Sequence, residues 1–198
     1  MSDIFVDNIK HQSSQGSGTI TLGASGETIA LASGASVTGN GLVGITQADL
    51  WRLTSNLSSS STNTVIASNL ERADDASSGL IGSGMSQSSG IFTFPQTGIY
   101  DVTFSAQYYY AGDSRYITAK IEVTTDNSNY DLLTENLAHI EQSYSIAHQN
   151  VTASALIDVT DTSNVKVRFV YSSDSSTNLN ASTDYNLTYM KFIRLGDT

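Results

Sequence analysis

Three histidines and nineteen carboxylates, with no cysteine, are this chain's raw material for chemistry. His139 and Glu141 stand two apart, and Glu135 precedes His139 by four. Residues two apart on a strand share a face, so His139 and Glu141 can touch. A pair of this kind with no third orienting group is the ordinary state of a solvated surface, and that is the expectation here. Gly82-Ser83-Gly84 lacks the strand-to-helix setting of a nucleophile elbow. No Walker motif or dinucleotide fingerprint occurs. Asp74-Asp75, and Asp158 with Asp161, offer oxygens to calcium, but EF-hand spacing is absent and turn carboxylates account for both. A glycan-cleaving enzyme needs two carboxylates at catalytic separation, and no pair is singled out by spacing. Thiolate zinc sites and disulfides are excluded. No catalytic residue, cofactor or metal is expected, and the chain reads as a non-enzyme.

The aromatic residues say more. Tyr108, Tyr109, Tyr110 and Tyr116 flank a turn at residues 111–115 that carries Arg115. Consecutive tyrosines on a strand point to both faces, so at least one must be exposed or meet a partner. Packing in half-buried strands is one use of such rings. A ligand surface is the other, because tyrosine stacks on sugars or proteins while its hydroxyl exchanges hydrogen bonds. The candidate binding residues are therefore Tyr108, Tyr109, Tyr110, Arg115 and Tyr116.

Charge narrows the partners. The formal net charge is −10 with only nine basic residues, and these are dispersed. Phosphate-backbone binding needs clustered Lys and Arg, so no nucleic-acid role is expected. Residues 1–10 carry Asp3 and Asp7 and no long apolar run, and nothing later is long and apolar enough to insert in a membrane.

The elements that would position these residues are strands. Tyr100, Val102, Phe104, Ala106 and Tyr108 alternate with Asp101, Thr103, Ser105 and Gln107, the pattern of a half-buried strand. Before it, Ile91 to Phe94 meets the only proline, Pro95, and then Gly98, a combination suited to a reversal. Further strands are expected at Trp51 to Leu57, Val65 to Leu70, Ile117 to Val123, Val151 to Val159 and Val165 to Tyr171. Tyr185 to Leu195, apolar on both faces, reads as a strand buried on both sides. Leu132 to Gln142 is the one place where a helical turn is weighed. Short strands with turn signals between them predict an all-β sandwich or jelly roll of about eight to ten strands over residues 49–198.

Residues 1–48 differ in texture. Ile4, Phe5, Val6 and Ile9 form a short apolar patch that needs a partner surface. From His11 to Ala48 the only charged residue is Glu27. Thr19-Ile20-Thr21-Leu22 recurs as Thr28-Ile29-Ala30-Leu31, and Ser36-Val37-Thr38-Gly39 resembles a worn third copy. Ile20, Leu22, Ile29, Leu31 and Val37 are the anchors of units too small to build a core alone. A flexible Gly/Ser linker is the plain alternative. A short β-repeat stalk, closed by copies from several chains, explains the matched anchors better.

Two resemblances give this organisation a setting. Gly90, Phe92, Phe94, Pro95, Gly98, Tyr100, Val102 and Phe104 resemble the central signature of the jelly-roll heads shared by complement C-one-q and the tumour necrosis factor ligands. The runs Ala153 to Val159 and Val165 to Tyr171 look like that family's late hairpin, although the turn Asp161-Thr162-Ser163-Asn164 lacks its usual Gly-Asp. Tyr185 to Leu195 looks like its last central strand. The resemblance implies a homotrimer of heads on an extended stalk. The N-terminal repeat is similar to repeats in tail-fibre and structural proteins of marine bacteriophages. Together they imply a virion structural protein on the outer surface of head or tail. Its N-terminus would join other virion proteins, and its head would attach to a host-surface glycan or protein. A capsid or tail decoration protein with no receptor is the alternative.

Overall fold

The computed structural model describes residues 44–142 and 145–198. The expected attachment residues (Ile4, Phe5, Val6, Ile9) and stalk anchors (Ile20, Leu22, Ile29, Leu31, Val37) lie outside the described residues. The described chain folds as two antiparallel sheets packed face to face, with no helix among the described residues. It is a jelly-roll sandwich.

The first sheet is built around β7 (Gly98–Tyr110). On one side β7 pairs along its whole length with β10 (Ala147–Val159). On the other it pairs with β13 (Tyr189–Gly196) and then with the two-residue β12 (Asn178–Leu179). Beyond them lie β1 (Ala48–Leu53), β4 (Leu70–Arg72) and β2 (Leu57–Ser58). The second sheet runs β5 (Ser86–Ser88), β6 (Ile91–Thr93), β11 (Lys166–Ser173), β8 (Ser114–Thr124), β9 (Asp131–Ile140), with β3 (Thr64–Val65) also on β11. The expected eight to ten strands become thirteen among the described residues, because the irregular stretches contribute two- and three-residue pairings.

The alternation of β7 sorts as expected. Tyr100, Val102, Phe104, Ala106 and Tyr108 are buried between the sheets. Val165, Val167, Phe169 and Tyr171 are buried opposite them, as are Ile117, Ala119 and Ile121. At the centre, Phe92 stacks with Trp51, Phe169 and Phe192 at centroid distances of 5.5, 5.4 and 5.2 Å. Phe104 joins Phe169 at 5.3 Å. Trp51, Phe104 and Phe192 come from one sheet, Phe92 and Phe169 from the other, so this cluster ties the layers together.

Three expectations change. Ile91 to Tyr110 is no hairpin: β6 and β7 lie in different sheets, and Phe94 to Thr97 carries the chain across. Gly90 (φ 79°) and Gly98 (φ 140°) bracket the crossing. A Cβ on Gly90 would sit 2.0 Å from the Ile66 carbonyl oxygen, so both conformation and space demand glycine. Likewise β10 pairs with β7 and β11 with β8, so the late turn also crosses between sheets. Asp161 shapes that turn without Gly-Asp, accepting from Ser163 N at 2.7 Å and from Asn164 Nδ2 at 2.8 Å. Third, residues 132–140 form edge strand β9, not a helical turn, and Leu132, Leu133 and Leu137 stand exposed on it.

The C-terminal strand is also shorter than Tyr185 to Leu195. Only Met190 and Phe192 reach the core. Tyr189 and Ile193 face the other way and are half-buried.

Candidate functional site

Strand direction gives the domain two distinct ends. β1 and β7 start, and β13 finishes, at the end where Gly44 enters, tied by Arg194 N donating to the Gln47 carbonyl at 2.9 Å. The turn at 111–113, the 54–63 and 174–188 loops, the start of β8 and the end of β9 gather at the other. The thirteen residues of β7 set the two ends about 40 Å apart, at about 3.3 Å per residue. All five candidate binding residues lie at the end remote from Gly44.

They do not form one surface. Tyr108 is fully buried, and its hydroxyl donates to the Thr118 carbonyl at 2.7 Å. It therefore leaves the candidate ligand set: alternation turned it to the core. Tyr110 points the same way and packs partly against the core. Tyr109 faces outward on the first sheet, where its ring lies 5.9 Å from that of His148 and its hydroxyl accepts from Asn56 Nδ2 at 3.2 Å. Tyr116 faces outward on the second sheet. Arg115 is exposed and holds Asp174 through Nε and Nη2 at 2.8 and 2.7 Å. That pairing lowers the Asp174 carboxyl below its ordinary range.

Burial pushes the Tyr108 phenol well above its ordinary value. In the unfolded chain it ionises near pH 10. Its contribution to stability is thus complete below about pH 10 and is lost as pH rises, since only the unfolded state releases the proton. Phenolate absorbance followed through an alkaline titration should show a class of tyrosines that stays neutral until the chain unfolds. Free titration of all ten tyrosines near pH 10 in the folded protein would contradict the burial.

The same end carries an open cavity of about 350 Å³ lined by Asp113, Ser114, Arg115, His139, Ile140 and Glu141. Pairing of Ser114 with Ile140 brings the two strand ends together. Gln142 N donates to Asp113 Oδ1 at 2.7 Å, fixing the rim. Sequence reading found His139 and Glu141 but could not place them beside Asp113 and Arg115, because the two segments are distant in sequence.

Away from this cavity the acidic pair Asp74-Asp75 is structural. Arg52 is 1% exposed and is gripped by Glu71, Asp74 and Asp75 at 2.7, 2.7 and 2.5 Å. Asp49 is buried and accepts from Trp51 Nε1, Arg72 Nε and Met85 N at 2.9, 2.9 and 2.7 Å. No group of three or more His, Cys, Asp or Glu side chains is placed to hold a metal among the described residues. No helix among them is long and apolar enough to cross a membrane.

No family model and no curated protein matches the chain. Solved structures do. Murine APRIL at pH 5.0 aligns with a TM-score of 0.56 and 11% identity, over 75% of this chain and 98% of that one. Eiger TNF from S. frugiperda aligns with a TM-score of 0.56 and 12% identity, over 76% of this chain and 93% of that one. At such identities the likeness is one of fold, and the fold of this chain is the tumour-necrosis-factor type of jelly roll.

Proposed function

We propose that the chain is a structural protein of a bacteriophage virion: a homotrimeric, non-enzymatic appendage whose jelly-roll head attaches to the host surface. The observation that carries the self-association is a pair of unlike apolar surfaces. On the outer face of the first sheet, Leu156 is 65% exposed, and Leu50, Tyr189 and Ile193 are half-buried. On the rim at β9, Leu132, Leu133 and Leu137 are 52, 46 and 61% exposed. Two different surfaces on one molecule favour a head-to-tail contact, which gives a ring where the rotation between neighbours closes. The jelly-roll resemblance supports a ring of three.

The two-ended geometry supports the rest. The described chain enters at one end, and the loops, Tyr109, Tyr116 and Arg115 lie at the other. Three heads per spike and many spikes per particle would turn weak contacts into firm attachment, gaining roughly 10²–10⁴-fold without new contacts. The N-terminal repeat resemblance supports a place on the virion surface, with residues 1–48 joining other virion proteins.

An antibody raised against the full-length chain tests this on particles. It should label the outside of intact virions and block their adsorption to cells. Labelling without any loss of adsorption would favour a decoration protein. Absence of the protein from purified particles would end the reading.

A further inference from the structure

We propose that the cavity between the start of β8 and the end of β9 binds a neutral, hydroxyl-rich ligand, a hexopyranose unit of a surface glycan. This deepens the attachment reading by naming its ligand class, and rests on that reading for its biological role.

Size, position and charge carry it. A volume of about 350 Å³ falls at the small end of ligand pockets, which start at about 300 Å³. The cavity lies at the end remote from Gly44, where a target surface can reach it. Its polar groups are mixed. Asp113 Oδ1 is taken by Gln142 N, which leaves Oδ2 to accept. Arg115 spends Nε and Nη2 on Asp174, which leaves Nη1 to donate. His139 and Glu141 are exposed and take no hydrogen-bond partner among the described residues. Buried Ile140 supplies an apolar floor.

Asp113 and Glu141 line the cavity with Arg115, and a third carboxylate, Asp174, pairs with that guanidinium. Together with a net charge of −10, this repels phosphate, sulfate and carboxylate ligands. Sugar hydroxyls donate to carboxylates and accept from a guanidinium, so a polyol satisfies both kinds of group at once. Asp113, His139 and Glu141 all line the wall, but no such group of three among the described residues is placed to hold a metal ion.

Saturation-transfer NMR on the full-length protein, with the methyl glycosides of glucose, galactose and mannose as probes, tests the site. Signal transfer is expected to at least one of them and not to glucuronate. Glu141→Ala and His139→Ala change exposed side chains, so the far-ultraviolet dichroism of the fold should stay unchanged. Loss of a hydrogen bond to a charged group should weaken binding at least about tenfold in Glu141→Ala. Transfer from none of the three glycosides overturns the proposal, as does equal binding by Glu141→Ala or stronger binding of glucuronate. Wild-type adhesion to cells, measured beside it, separates the two claims. Adhesion without glycoside binding removes this site and leaves attachment standing. Glycoside binding without adhesion leaves the site and removes the attachment reading.

Discussion

Replacing Phe92 with alanine should cost about 3–5 kcal/mol, as for large aromatic truncations in packed cores. Phe92 is fully buried and its ring lies within 5.5 Å, centroid to centroid, of Trp51, Phe169 and Phe192. These three come from three different strands in both sheets. The void left by the ring would open where the layers are pinned, and the β6 strand that carries it is only three residues long. That strand pairs with β5 and β11 over three residues each, so its one buried ring is its chief hold on the core. Against a total stability of about 5–15 kcal/mol, such a loss is a large fraction. Urea denaturation at fixed protein concentration measures it, the concentration being held because an oligomer's midpoint depends on it. A cost under about 1 kcal/mol, typical of an exposed site, would mean the aromatic cluster does not pin the sheets.

Asp49→Ala should also be damaging, at about 1–3 kcal/mol for each donor it orphans, by a different route. The Asp49 side chain is 1% exposed and pairs with Arg72 at 2.9 Å. The same carboxylate accepts from the Trp51 indole and the Met85 amide. Its removal orphans a part-buried indole N–H, a buried backbone N–H and a guanidinium resting 5.0 Å from the centroid of the Trp51 ring. Arg72 is 36% exposed and can rehydrate, so the loss comes chiefly from the two neutral donors. Asp49→Asn keeps an acceptor oxygen and should recover part of the stability. Equal urea midpoints for wild type and Asp49→Ala would refute this role.

Much of the fold was legible because burial writes a period of two into the sequence. Tyr100 to Tyr108 and Val165 to Tyr171 are sorted in the structure as alternation sorts them. Pairing was not legible. Ile91 to Tyr110 looks locally like a hairpin, and only the partners of each strand reveal that the chain crosses between sheets. Strand β9 was obscured for a related reason: its leucines are exposed, so its apolar pattern does not mark a core-facing side. Asp49 and Arg52 mark the return of charge after a stretch whose only charged residue is Glu27. That both are buried depends on residues 71–85, which only the fold brings near.

The candidate site divides in the same way. Tyr109 and Arg115 were visible as residue types suited to binding. Tyr108 stood both on the apolar face of β7 and in the ligand set, and the alternation that buries Tyr100 buries it too. The cavity at His139 and Glu141 escaped notice because half of its wall comes from residues 113–115. Only the β8–β9 pairing joins those two segments.

The central claim, that this head works as a ring of three, is tested most directly by the mass of the full-length protein in solution. Light scattering should return three times the 21.1 kDa of one chain. Glu substituted for Leu156 should lower that mass, because a charge would then replace an apolar contact on the outer face of the first sheet. A wild-type mass of one chain would contradict the ring, and the multivalent attachment built on it would fall as well.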